Sequence, residues 1–201
     1  MRADVDLVVP VKTLDRAKSR LRGVTADRPA LALAFALDTI RAALPVVRSV
    51  VAITDDPVVV AELAVLGVET TPGPEGLNPA LRHGAALLRS RDPRSVVGAL
   101  QADLPALRPE ELRAAIAAAD GRAFCPDRQG TGTTLLLSEP GGDLAPEFGV
   151  GSAAAHEAAG ARPLVGPWPT LRCDVDTAED LDVAAAFGLG RRTRAALAPV
   201  C

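Results

Sequence analysis

At 201 residues, with 48% hydrophobic and 23% charged residues, the chain has globular composition and enough length to bury a core. Aromatics make up only 2%, with no Tyr and one Trp, which speaks against single-strand nucleic-acid binding on stacked rings. A net charge of −3 and a pI near 5.4 speak against a general polyanion-binding surface, so any basic site must be local.

The chain opens on MRADVDLVVPVK, with acids where a signal peptide carries bases, and no stretch approaches the ~18 apolar residues of a membrane span. A cytoplasmic protein with no membrane or nucleic-acid partner is expected. Val5–Val11 reads as a first buried strand. The loop Lys12–Arg22 then sets Lys12, Arg16, Lys18, Arg20 and Arg22 against Asp15 alone, a cation cluster where a phosphate would be met. A solvated basic loop is the other reading of that stretch. It is not a Walker A loop, and no G-x-G-x-x-G follows the strand. Arg28–Leu44 has helical spacing, Ser49–Ile53 is a strand, and the Asp55-Asp56 pair caps helix Val58–Leu66. Val68–Thr71 is a short strand. The rigid loop Pro72–Pro79 feeds helix Ala80–Arg89, where Asn78 either caps the helix or offers its amide to a base edge.

Ser95–Leu100 has the composition of a buried central strand, stopped at Gln101-Ala102-Asp103 by Leu104-Pro105 before helix Pro109–Ala119. Asp103 therefore lies beyond a strand's C-terminal end, where open α/β sheets bind ligands. The alternation then breaks. Strand Arg122–Cys125 is followed by Asp127–Thr134 and the run Leu135–Leu137; Gly130 and Gly132 make this either an anion nest lined by Thr131, Thr133 and Thr134 or a hairpin turn. Glu147–Ser152 repeats the glycine-and-hydroxyl theme before helix Ala153–Ala159, on which His156 is an ordinary helical residue. Leu164–Val165 and Leu171–Cys173 read as extended. Asp174 and Asp176, at i and i+2 of an extended segment, project to one face and suit a hard cation. Thr177 with Asp180 forms a capping-box pair that opens the last helix and leaves Asp174 over. Residues 1–190 read as one domain and 191–201 as a basic, mobile tail.

Cys125, Cys173 and Cys201 are an odd set without C-x-x-C spacing, so neither a disulfide framework nor a thiolate metal site is indicated. What remains is a cationic first loop, the carboxylates Asp103, Asp174 and Asp176, and two glycine-hydroxyl loops. These parts suit transfer at phosphorus, where positioning and charge neutralisation dominate. An attacking phosphate is already ionised at pH 7, its second pKa being about 6, so no general base is needed.

Taken in order, VPVKTLDRAKSRL, ALQADLPAL, DRQGTGTT, EFGVGS and CDVDTAEDL resemble the 2-phospho-L-lactate guanylyltransferase family of coenzyme F-420 biosynthesis, from Val5 to about Leu181. Its actinobacterial members act on phosphoenolpyruvate, and the Ala-, Arg- and Pro-rich composition tilts the reading that way. The resemblance implies a single-domain α/β, nucleotide-diphosphosugar-transferase-like (Rossmann-like) three-layer fold with a mixed, mostly parallel sheet. It implies that GTP and phosphoenolpyruvate or 2-phospho-L-lactate give a guanosine-diphospho-linked acid and pyrophosphate. By the same resemblance Asp103, Asp174 and Asp176 hold Mg²⁺, and Thr134, Gly149 and Ser152 hold the acceptor's carboxylate. Lys12, Lys18 and Arg20 face the GTP phosphates. Direct handover of the product to the next pathway enzyme is expected. The alternatives are another nucleotidyltransferase of this fold, such as a sugar-acid cytidylyltransferase, or a non-catalytic nucleotide-sensing module. Retention of all three aspartates and both hydroxyl loops speaks against the module.

Overall fold

The computed structural model describes residues 3–14 and 27–198. Valine-rich β1 (Ala3–Pro10) lies at the centre of a seven-stranded sheet of order β3-β2-β1-β4-β6-β5-β7. β2 (Val47–Ile53), β3 (Glu69–Thr71) and β4 (Val96–Leu100) join it in parallel. β6 (Thr133–Leu137) runs antiparallel to both β4 and β5 (Ala123–Pro126), and the two-residue β7 (Arg162–Pro163) closes the edge beside β5. The expected mixed, mostly parallel sheet is the one found.

Alternation along β1 sorts the helices into two layers. Val5, Leu7 and Val9 face α1 (Arg28–Ala43), α2 (Pro57–Val65) and α4 (Pro109–Ala118), while Val8 packs with α3 (Leu77–Arg91) and α5 (Ser152–Ala158). Helix starts follow local chemistry. Asp27 accepts from Ala30 N at 2.9 Å with Pro29 in the first turn of α1, and Asp56 caps α2 through Val58 N and Val59 N. The capping box of Thr177 and Asp180 opens α6 (Ala178–Phe187) as the sequence predicts.

Three expectations change. Leu171–Cys173 forms no strand: Leu171 and Arg172 lie in a turn, and the amides of Thr170 and Leu171 are taken by the buried Glu111 carboxylate at 2.8 and 3.3 Å. The edge strand falls at Arg162–Pro163 instead of Leu164–Val165. The stretch from Arg191, read as a mobile tail, forms α7 (Arg191–Leu197), docked on α1. Its first amides, Arg192 N and Thr193 N, donate to the buried Asp38 carboxylate at 3.1 and 2.8 Å. Only glycine fits just before them, since a Cβ on Gly190 would lie 2.2 Å from Asp38 Cγ. Among the described residues no helix is long and apolar enough to cross a membrane.

Candidate active site

β1 and β4 are parallel neighbours, but the chain leaves β1 toward β2 and leaves β4 toward the opposite edge. Their C-terminal ends therefore open a crevice at the point where strand order reverses. A cavity of about 170 Å³ occupies it, with Lys12, Gln101, Asp103 and Asp176 as polar lining and Pro10, Ala32, Phe35 and Ala36 among its apolar walls. A larger groove, about 510 Å³, shares Pro10, Val11, Lys12 and Leu77 with it and continues past Thr54, Asp55 and the loop Gly73–Gly76. The groove has the volume of a small-molecule site, and the exposed Lys12 stands where the two spaces meet.

The Asp103 backbone is fixed from two sides. Thr39 of α1 takes the amide of Leu104 at 3.0 Å, while its hydroxyl donates to the Phe35 carbonyl at 2.8 Å and lies 3.3 Å from the Ala102 carbonyl. Val175 N donates to the Asp103 carbonyl at 3.0 Å, which ties the segment 174–176 to the end of β4. Of the sequence-predicted trio, Asp103 and Asp176 thus line one cavity, with Asp174 beside it and half-buried. Burial pushes the Asp174 carboxyl up to about 7, and the charges of Asp103, Asp127 and Asp176 push the same way. Such mutual repulsion is what a cation relieves. Among the described residues, however, no three His, Cys, Asp or Glu side chains are already grouped around one point. Asp103 and Asp176, with Asp174 beside them, are the side chains that could hold a divalent cation here.

Of the two readings of the first glycine-hydroxyl loop, the structure shows the turn. The amides of Thr131 and Gly132 donate to the Asp127 carboxylate at 2.9 and 2.8 Å, so the loop is a closed turn and its amides are not an open anion nest. Thr134 is fully buried, its hydroxyl turned to the Cys125 carbonyl at 3.4 Å, while its own carbonyl accepts from Gln101 N. Ser152 is buried at the start of α5, and Gly149 is exposed with φ +147°, a conformation that needs glycine. Asn78 lies in the first turn of α3, whose N-cap is Gly76, so it does not cap the helix. Its carboxamide donates to the Phe148 carbonyl at 3.0 Å and accepts from Phe148 N at 2.8 Å. Lys18 and Arg20 lie outside the described residues.

Sequence reasoning passed over four contributors. Thr39 fixes the backbone at the end of β4, the Asp127 charge bears on Asp174, and Arg172 anchors the Asp127 carbonyl at 2.9 Å. His156, placed on its helix as expected, is buried: its Nε2 accepts from Glu147 N at 2.9 Å, so the ring proton sits on Nδ1, 2.9 Å from the Thr133 hydroxyl. Burial, and then the Arg122 charge, lower its pKa to about 4, so the ring is neutral. Only Asp127 left a local signal, an Asp four residues ahead of the first amide that it holds.

A family model described as guanylyl transferase CofC like matches residues 5–199. The phosphoenolpyruvate guanylyltransferase of Streptomyces scabiei is 54% identical, over 96% of this chain and 95% of its own. That of Salinispora arenicola is 53% identical, over 93% and 90%. Among solved structures, a Desulfovibrio desulfuricans G20 protein assigned as a nucleotide-diphospho-sugar transferase superposes with TM-score 0.65 at 16% identity, over 98% and 97% of the two chains. Rv0371c of Mycobacterium tuberculosis H37Rv, solved with manganese, gives 0.54 at 22%, over 92% and 98%. At these identities the structures speak to the fold.

Proposed function

Because this chain belongs to the family of CofC-like guanylyl transferases, we propose that it moves GMP from GTP to phosphoenolpyruvate in the crevice between β1 and β4. One observation carries the reading: the nucleotide-sized groove and the smaller carboxylate-lined cavity share a wall at Pro10–Lys12. Two phosphorylated substrates lying one in each would meet at Lys12. A phosphate oxygen of the acceptor attacks the α-phosphorus of GTP, the bond from that phosphorus to the bridging oxygen breaks, and pyrophosphate leaves with the electron pair. The acceptor's dianion needs no base at pH 7. Lys12 offers a fixed positive charge where negative charge gathers in the transition state. Asp103, Asp174 and Asp176 would hold Mg²⁺, which when bound neutralises phosphate charge.

The remaining assignments rest on the family resemblance. Thr134, Gly149 and Ser152 hold the acceptor's carboxylate, and Lys18 and Arg20 reach the triphosphate. For Thr134 and Ser152 this requires the acceptor to reach hydroxyls that are now buried. The relatives' shared name favours phosphoenolpyruvate over 2-phospho-L-lactate. The test is pyrophosphate release from GTP and Mg²⁺ with each acid in turn, with the next pathway enzyme present to draw off the product. Release with phosphoenolpyruvate alone is expected. Release with neither acid would turn the assignment toward another nucleotidyltransferase or a sensing module.

A further inference from the structure

Loop 147–151 carries Gly149 and ends at Ser152, whose amide closes the turn onto the Gly149 carbonyl at 3.2 Å, yet no side chain packs at its tip. Val150 is fully exposed, and a Cβ added at Gly149 or Gly151 would meet nothing within 4 Å. Its position is set at the base, by Glu147 and Phe148. There the Glu147 amide donates to His156, the Phe148 backbone is held at both its N–H and its carbonyl by Asn78, and the Phe148 ring stands edge-on to His156 with centroids 4.9 Å apart. Asn78 comes 70 residues earlier in the chain, directly after Leu77, which lines both the groove and the cavity. His156 reaches in the other direction, to Thr133, the neighbour of Thr134 on β6.

We infer that Asn78 and His156 are positioning residues that join the groove loop 73–77 to the acceptor loop 147–152, so that filling the groove orders the acceptor side. The inference rests on the substrate assignment above. It is a link through two side chains and one backbone unit: groove loop, Asn78, Phe148, Gly149. A nucleotide that pulls loop 73–77 inward carries Phe148 with it. His156 keeps the far end of the loop in register with β6. The acceptor then meets Gly149 and Ser152 already in place, and its binding no longer includes the cost of ordering them.

The test is hydrogen–deuterium exchange on the full chain, with and without GTP and Mg²⁺, in the native protein, Asn78→Ala, His156→Gln and His156→Asn. In the native protein GTP should slow exchange in both 73–77 and 147–152. Asn78→Ala should keep the first effect and lose the second. Gln at position 156 places an acceptor where Nε2 lies and should behave as native, whereas Asn is too short to reach Glu147 and should behave as Asn78→Ala. Under turnover, Asn78→Ala should raise the acceptor's KM roughly tenfold, one hydrogen-bonded contact's worth, with the KM for GTP within about twofold. Protection by GTP of 73–77 alone in the native protein overturns the inference, as does an equal rise in both KM values. If GTP protects neither segment, the substrate assignment falls. The join is then judged without ligand: faster exchange at 147–152 in Asn78→Ala upholds it, and an unchanged rate overturns it.

Discussion

A carboxylate pressed by burial and by three like charges gains nothing for the fold from its own charge. Asp174 is in that position, its carboxyl pushed up to about 7 by burial first and then by Asp103, Asp127 and Asp176. Asp174→Asn removes the repulsion and keeps the shape. Its melting temperature should match or exceed that of the native protein, while Mg²⁺-dependent pyrophosphate release falls on the order of 10²-fold or more. Loss of stability together with activity would make Asp174 a structural residue. Lys12 answers to the opposite logic, an exposed cation whose value appears only with a phosphate beside it. Lys12→Ala should leave thermal unfolding unchanged and raise the KM for GTP by roughly tenfold. An unaltered KM for GTP would return it to surface charge.

At the scale of elements, partners close in sequence were legible and distant ones were not. The cap of α2 by Asp56 and the Thr177–Asp180 box could be read directly, since each acts within a turn or so of chain. The carboxylates at the ends of strands were legible too, because apolar runs and Pro105 mark where β4 must stop. Thr39 meets the amide of Leu104 across 65 residues and Asn78 meets Phe148 across 70, and no spacing rule announces either contact. The helix α7 was hidden for the same reason. Its sequence is short and basic, and what holds it is Asp38, some 155 residues earlier. Asp38→Ala should therefore uncap α7 at a cost of about 1–2 kcal/mol. At about 2–4 °C per kcal/mol for a chain of this size, the melting temperature should drop by roughly 2–8 °C. An unchanged melt would mean that α7 adds nothing to the fold.

Across the whole molecule the two ends of the sheet are built to opposite rules. At the N-terminal ends of its strands the buried Asp6 accepts from Arg48, Ser49 and Ser95, closing β1, β2 and β4 together. Burial works to raise the Asp6 carboxyl, but those hydrogen bonds outweigh it and hold the group below 3.8. A depressed folded-state value contributes stability above the unfolded value, and that contribution is lost as pH falls through the folded one. Urea midpoints should fall less between pH 5 and 2.5 in Asp6→Asn than in the native protein; parallel titrations would assign acid loss elsewhere. At the C-terminal ends Asp103 and Asp176 line a cavity with Lys12, and burial, then the charges of Asp103, Asp127 and Asp176, push the neighbouring Asp174 carboxyl up to about 7. A hard cation held by one or two carboxylates completes its shell with phosphate oxygens, so metal and nucleotide should bind as a unit. MgCl₂ alone should shift the melt by about 1 °C or less. GTP with Mg²⁺ at 100 times its Kd contributes about 2.7 kcal/mol, a rise of roughly 5–11 °C. EDTA should remove most of that rise although GTP is still present, because the triphosphate then faces the carboxylates unneutralised. An equal shift from MgCl₂ alone would mean that the carboxylates form a complete metal site without substrate, and that metal and nucleotide do not bind as a unit.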